Sequence, residues 1–305
     1  MELEENNHFA HYFYGGTLAI LHAQLIERWG GTYSAADFQK GIDHLKRSLE
    51  LNPTIQPGQM FLGWFYTLHG QYDMAMPYLD KAVQLEEALR AKGFQFVGGQ
   101  TLRGNLLFRL RQLDDARDAY NKSMSTLEKS QHVYKNSFLA QTHCGLGDLA
   151  YVAGNFDEAL KHYGKAVEVA EAAPTNSGIG FFYVRGCAGM AKAFDSLGVP
   201  PQASERIELA RTTLENKDGF NFFWTWDGCD AQAYYDLASA YAELHQTDNA
   251  IECLRKAAVD LGWRDLQQSV ISLESLEGGD SISDLLDDPR VREVVEHVRR
   301  TPPLT

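Results

Sequence analysis

Along residues 147–170, GDLAYVAGNFDEALKHYGKAVEVA, apolar positions fall on one helical face, pass through a short polar turn, and resume on a second helical face. Small residues stand at Gly147, Ala159 and Ala166, with the bulky Tyr163 between the last two. The same register returns at Gly63, Ala75, Leu79, Ala82 and at Gly104, Ala116, Tyr120, Ser123. It appears again at Ala191, Ala203, Ile207, Ala210 and at Ala238, Ala250, Leu254, Ala257, with a degraded copy at Gly41, Leu45, Ser48. Two antiparallel helices approach closely only where a side chain is small. The large residue four positions on shares its helical face and fills the gap to the next hairpin. The stretches HGQYDMA, LRQLDDA, AGNFDEA, LGVPPQA and LHQTDNA read as the intervening turns. Gly70, Gly154 and Gly198 suit the end of a first helix, and Asp73, Asp157 and Asp248 the start of a second. Each hairpin leaves an apolar face that only another hairpin covers, so the pattern predicts an all-α solenoid.

Two stretches carry a family resemblance. LGWFY at 62–66 has the Leu-Gly-aromatic step of a first helix, and EALKHYGKA at 158–166 the small-bulky-small spacing of a second. On these residues, and on copies running from about 38 to 260, the chain resembles the tetratricopeptide repeat family. The resemblance implies a right-handed superhelix of about six hairpins. One departure is clear: second-helix small residues fall at 41, 75, 116, 159, 203 and 250, so the intervals grow from 34 to 41, 43, 44 and 47. The family period is about 34 residues. The surplus lies between hairpins, in AKGFQFVGGQTLRG and KDGFNFFWTWDG, and predicts helices lengthened by a turn or more, similar to the long repeats of kinesin light chain.

The ends depart from the register. Residues 8–28 predict an amphipathic helix serving as the first helix of the degraded repeat, which makes 1–37 an N-terminal unit, 38–262 the array and 263–305 a C-terminal cap. The tail resembles those closing bacterial arrays of this family, through Asp284, Leu285, Asp288, Pro289 and Arg290. Pro289 fits the first turn of a last helix with Asp288 as its cap.

Composition narrows the partners. A formal net charge of -13 over 305 residues, with no Lys/Arg cluster, disfavours nucleic acid and anionic lipid. The acidic start, the lack of a signal-type apolar core and the lack of a membrane-length apolar run lead us to expect a cytoplasmic chain. Cys144, Cys187, Cys229 and Cys253 form no CxxC and read as free thiols of a reducing compartment.

Candidate chemistry falls away on context. DDARD, with Asp114, Asp115 and Asp118, has the spacing of a magnesium-binding acidic motif, but it occupies a turn and a helix start, where Asp favours the helix dipole. Gly178 and Gly180 in SGIGFFYVRG lack the strand and Lys-Ser/Thr of a phosphate loop. His8 and His11 share a helical face without further ligands, and His143 and Cys144, being adjacent, diverge on a helix. We therefore expect no catalytic set, no metal and no cofactor.

What remains is the inner face that first helices line in this family. Registered on the small residues, it selects Met60, Trp64, Thr67, Thr101, Asn105, Arg109, Gln141, Asp148, Tyr151, Arg185, Lys192, Asp195, Tyr235 and Ser239. The resemblance implies that such a face holds an extended peptide or a helix of a protein partner, with Trp64 and Tyr151 as anchors. Family members that clamp the C-terminal carboxylate of heat-shock proteins use Lys and Asn, then Asn, then Lys and Arg. The matching residues here are Met60 and Trp64, Thr101 and Asn105, and Cys144 and Asp148, so only Asn105 fits. FNFFWTWDG offers Phe220, Phe222, Phe223, Trp224 and Trp226, either as a wedge between hairpins or as an exposed aromatic platform. The expected function is a non-enzymatic interaction scaffold. The alternative is a regulatory sensor in which the long connections narrow the groove around a small molecule or short peptide.

Overall fold

The register resolves into helices throughout the computed structural model, which describes residues 6–29, 35–68, 70–222, 230–260 and 282–300. The order is α1 (His8–Trp29), α2 (Ala35–Leu51), α3 (Gln56–Leu68), α4 (Tyr72–Arg90), α5 (Gly99–Arg109), α6 (Leu113–Leu127) and α7 (Lys135–Val152). It continues with α8 (Phe156–Ala172), α9 (Ile179–Ser196), α10 (Pro200–Asn216), α11 (Asp230–Glu243), α12 (Thr247–Arg255) and α13 (Pro289–Arg300). A π-helical turn, Lys256–Asp260, extends α12, and a short 3-10 turn, Ser283–Leu285, precedes α13. No strand occurs among the described residues.

Five hairpins, from α3/α4 to α11/α12, reverse through one backbone geometry. The residue five places before the second-helix alanine takes a left-handed conformation: Gly70, Arg111, Gly154, Gly198 and His245, with φ of 66, 59, 75, 73 and 55°. The next N–H then bonds five residues back, closing a six-residue loop, from Gln71 to Tyr66, Gln112 to Leu107, Asn155 to Ala150, Val199 to Phe194 and Gln246 to Tyr241, at 2.8–2.9 Å. This is the Schellman closure of a helix C-terminus. Four of the five first turns that follow carry an aspartate, Asp73, Asp114 with Asp115, Asp157 and Asp248, which favours the positive end of the helix dipole, while α10 starts on proline.

The seams follow the small residues. A Cβ placed on Gly63 would lie 2.5 Å from the Leu79 side chain, and one on Gly104 or Gly147 would lie 2.6 Å from Tyr120 or Tyr163. Each tyrosine also fills the seam to the next hairpin. A Cβ on Gly145 would overlap the Tyr120 ring, and one on Gly189 would stand 2.5 Å from the Tyr163 ring. Both rings are fully buried, so each ring is wedged between two glycines from successive first helices.

Hairpin stacking produces the solenoid and sets its two layers. First helices touch the following first helices, α3 to α5 to α7 to α9 to α11, while second helices pack mainly on the first helices on either side of them. The first helices therefore form the inner layer. At the amino end α1 packs on α2, where a Cβ on Gly15 would come 2.6 Å from the Gly41 carbonyl oxygen. At the other end α13 covers α12 and the π turn, burying Val291, Val294 and Val295. Asp288 caps α13 by accepting the Arg290 backbone N–H at 2.8 Å, and the Arg290 guanidinium reaches Asp248 at 2.9 Å. The surplus repeat length is shared unevenly. Helices α7 to α10 have 17 or 18 residues, whereas α5 has 11, and the rest goes into the connections.

Candidate partner-binding face

The predicted groove residues divide by depth. Met60, Trp64, Thr67, Thr101 and Gln141 are sealed, none more than 2% exposed. Trp64 packs on Phe65 (ring centroids 4.6 Å apart) in an aromatic row that continues through Phe61 to Tyr12 of α1. Thr101 bonds Ser123 at 2.7 Å and Thr142 at 2.9 Å, a buried hydroxyl cluster joining α5, α6 and α7. Asn105, Tyr235 and Ser239 are 7–8% exposed. Arg109, Asp148, Tyr151, Arg185, Lys192 and Asp195 are half-buried, so the surface that a partner can reach is carried by this last group.

The seam tyrosines organise that surface from beneath. The Tyr120 hydroxyl donates to Asn105 Oδ1, and the Tyr163 hydroxyl to Asp148 Oδ1, both at 2.7 Å. The two pairs are equivalent, since donor and acceptor are 15 residues apart in each. Arg185 on α9 donates through Nη2 to Asp148 Oδ2 at 2.6 Å, so both oxygens of Asp148 are occupied. On α11 the next carboxylate, Asp236, accepts from Gln232 Nε2 at 3.0 Å. Burial pushes the Asp236 carboxyl up to about 6; the Arg185 charge opposes this and Asp148 adds to it. Toward the other end of the helices, Lys192 Nζ sits 4.9 Å from the Tyr151 ring centroid, and the Tyr151 hydroxyl lies 3.3 Å from Ser196 Oγ. The face is thus a polar ladder, Asn105, Asp148, Arg185, Asp236, crossing four successive first helices.

The other candidates sit elsewhere. Asp114, Asp115 and Asp118 are exposed at the start of α6. Gly178 precedes α9 with φ 69°, and Gly180 lies against Phe222. His11 faces His44, with Nδ1 atoms 2.7 Å apart. His143 faces His162 across the α7–α8 seam, and burial pushes it down to about 4, which keeps it neutral. Cys144, Cys187 and Cys253 are free and buried, and burial raises each thiol far from the reactive thiolate. Cys229 lies outside the described residues.

Of the aromatic segment, Phe220 stacks on Tyr183 (centroids 4.3 Å apart) and Phe222 meets Phe181 edge-on at 5.2 Å. Phe223, Trp224 and Trp226 lie outside the described residues. The connections also bond to one another along one rim. Gln95 Oε1 accepts from the Gln131 backbone at 2.6 Å, Ser137 donates to the Ser177 carbonyl at 2.8 Å, and the Asn221 backbone N–H donates to the Pro174 carbonyl at 2.7 Å. Glu86, 2% exposed, reaches the start of α5, where it accepts the Gly99 N–H at 3.0 Å. Burial pushes its carboxyl up to about 7. Sequence reasoning missed this rim and Asp236. The equal spacing of Tyr120 from Asn105 and of Tyr163 from Asp148 was the one available signal for the ladder.

Comparison with repeat families agrees with this architecture. The tetratricopeptide repeat family matches residues 99–174 through one profile, and residues 58–89 and 231–258 through another. Among solved structures, one chain of the APC/C hetero-tetramer Cut9-Hcn1 aligns over 94% of this chain and 47% of its own, with 12% identity and a TM-score of 0.52. MamA aligns over 61% of this chain and 93% of its own, with 21% identity and a TM-score of 0.42. BtubC (BKLC) from P. vanneervenii aligns over 73% and 87%, with 15% identity and a TM-score of 0.49. Among the described residues, no helix is long and apolar enough to cross a membrane.

Proposed function

Taking as premise that the chain is a tetratricopeptide-repeat protein, we propose that it is a non-enzymatic scaffold whose first-helix face holds an extended peptide or a helix of a partner protein. The observation that carries this reading is the polar ladder. Four successive first helices present Asn105, Asp148, Arg185 and Asp236, the last three partly exposed, with hydroxyls from the buried seam fixing the first two. Ordered hydrogen-bonding groups along a groove suit a main chain with defined direction, and the Tyr151–Lys192 pair adds an amphipathic anchor beside them. The fold alone hosts many roles, and this face is what favours partner binding here.

The sensor alternative has less to rest on. Residues 217–222 fold back on 174–183 through Asn221, Phe220 and Phe222, which uses those side chains for packing between hairpins. Affinity capture with the wild type beside a Tyr151→Ala, Lys192→Ala variant tests the scaffold reading. A protein retained by the wild type and lost from the folded variant is the expected result; identical captures overturn it. Small molecules extracted from the bait, with no protein partner, would favour the alternative.

A further inference from the structure

We infer that the partner segment carries a lysine or arginine side chain that docks on Asp236, at the α9–α11 end of the first-helix face. This rests on the groove reading above and adds the chemistry of the partner to it. The two carboxylates of the ladder differ in how far the chain satisfies them. Asp148 has both oxygens engaged, one by the Tyr163 hydroxyl and one by the Arg185 guanidinium. Asp236 has Oδ1 engaged by the neutral Gln232 amide, and among the described residues no donor reaches its Oδ2. The second helices α6 and α8 supply a tyrosine hydroxyl to the inner face, whereas α10 has Ile207 at that position, which supplies none and leaves room for the Asp236 side chain.

The surroundings select the sign of the missing donor. The charged groups acting on Asp236 are Arg185 and Lys192 of α9 and Asp148 of α7. Arg185 is committed to Asp148 at 2.6 Å, Lys192 lies over the Tyr151 ring at 4.9 Å, and Glu243 of α11 acts on Tyr151 beside it. With Arg109 and Asp195 included, the face holds three cations against four carboxylates, and the whole chain carries a net charge of -13. An incoming carboxylate meets Asp148 and Asp236 together. An ammonium or guanidinium supplies the absent hydrogen bond and removes the excess charge.

Panning a phage-displayed random dodecapeptide library on the whole chain tests this, with wild type, Asp236→Asn and Asp236→Glu run in parallel. Wild-type selections should share a lysine or arginine at one fixed position, and Asp236→Glu should keep that preference. Fluorescein-labelled copies of the selected peptides should bind Asp236→Asn at least about tenfold more weakly by fluorescence polarisation. Asparagine matches the size of aspartate, and a thermal melt checks that the variant is folded. Groove-bound peptides without a basic preference, or with one that survives Asp236→Asn, overturn this inference alone. Peptides indifferent to Tyr151→Ala, Lys192→Ala, or no selection at all, overturn the groove reading and this inference with it.

Discussion

Inside the five hairpins from α3 to α12 the chain reverses through one backbone geometry, whereas between hairpins it reverses through different side-chain contacts each time. The inner turns share a left-handed residue and a six-residue closure even where that residue is Arg111 or His245 and not glycine. The outer connections rely on Glu86 at Gly99, on Gln95 at Gln131, on Ser137 at Ser177 and on Asn221 at Pro174. Local backbone energetics fix the hairpin. The angle and spacing between hairpins, which shape the inner face, are left to contacts that vary from one repeat to the next.

The largest expected effect strikes a connection. Glu86 has its carboxyl raised to about 7 in the folded chain, from an ordinary value near 4.5. The folded state thus holds a proton that the unfolded state releases. Its stabilising effect is complete below about pH 4.5 and is lost as pH rises through about 7. Relative to Glu86→Gln, the wild type should lose roughly 3 kcal/mol between pH 4.5 and 8, by denaturant unfolding at each pH. A pH-independent difference would show that the Glu86 carboxyl titrates alike in the folded and unfolded chain.

The seam between hairpins comes next. Gly189→Ala sets a methyl against the rigid Tyr163 ring and should cost about 2–3 kcal/mol. Gly63→Ala, inside a hairpin and against the flexible Leu79, should cost about 1 kcal/mol. Equal losses in parallel urea titrations would erase the distinction between ring-filled and leucine-filled seams.

Tyrosine hydroxyls give a finer contrast. Tyr163→Phe removes a bond to the charged Asp148 and should cost about 2 kcal/mol, against about 1 kcal/mol for Tyr120→Phe at the neutral Asn105. Equal costs would mean that Arg185 alone satisfies Asp148. The smallest effect tests the turns themselves. Arg111→Gly and His245→Gly should each gain up to about 1 kcal/mol, and Gly154→Ala should lose about as much, because only the backbone conformation changes. Calorimetry showing no gain from either glycine would contradict a purely backbone account of the turns.

The same contrast explains what was legible in the sequence. The hairpins were readable because Gly63, Gly104 and Gly147 each face the residue 16 places on, a local relation that one chain displays repeatedly. Register also led to Asn105, Asp148 and Arg185. It did not report depth: Trp64 occupies the same position as Asn105 and Asp148, yet it joins the aromatic row beneath α1 and is only 1% exposed. Asp236 was hidden for a related reason. Gly145 and Gly189 hold its position in the two preceding hairpins, where a seam tyrosine needs the space, and Ile207 leaves room for a side chain. The rim was invisible because its inter-connection partners lie 36 to 47 residues apart and follow no period.

The central claim is that partners meet the chain on its first helices. Site-specific photocrosslinking tests it most directly, with benzoylphenylalanine placed at Arg109 or Lys192 on the inner layer and at Lys161 or Glu205 on exposed second-helix positions. The account predicts that one discrete protein adduct forms from the inner positions in cell extract and is absent from the outer ones. The same adduct from Lys161 or Glu205, with none from Arg109 or Lys192, would contradict it.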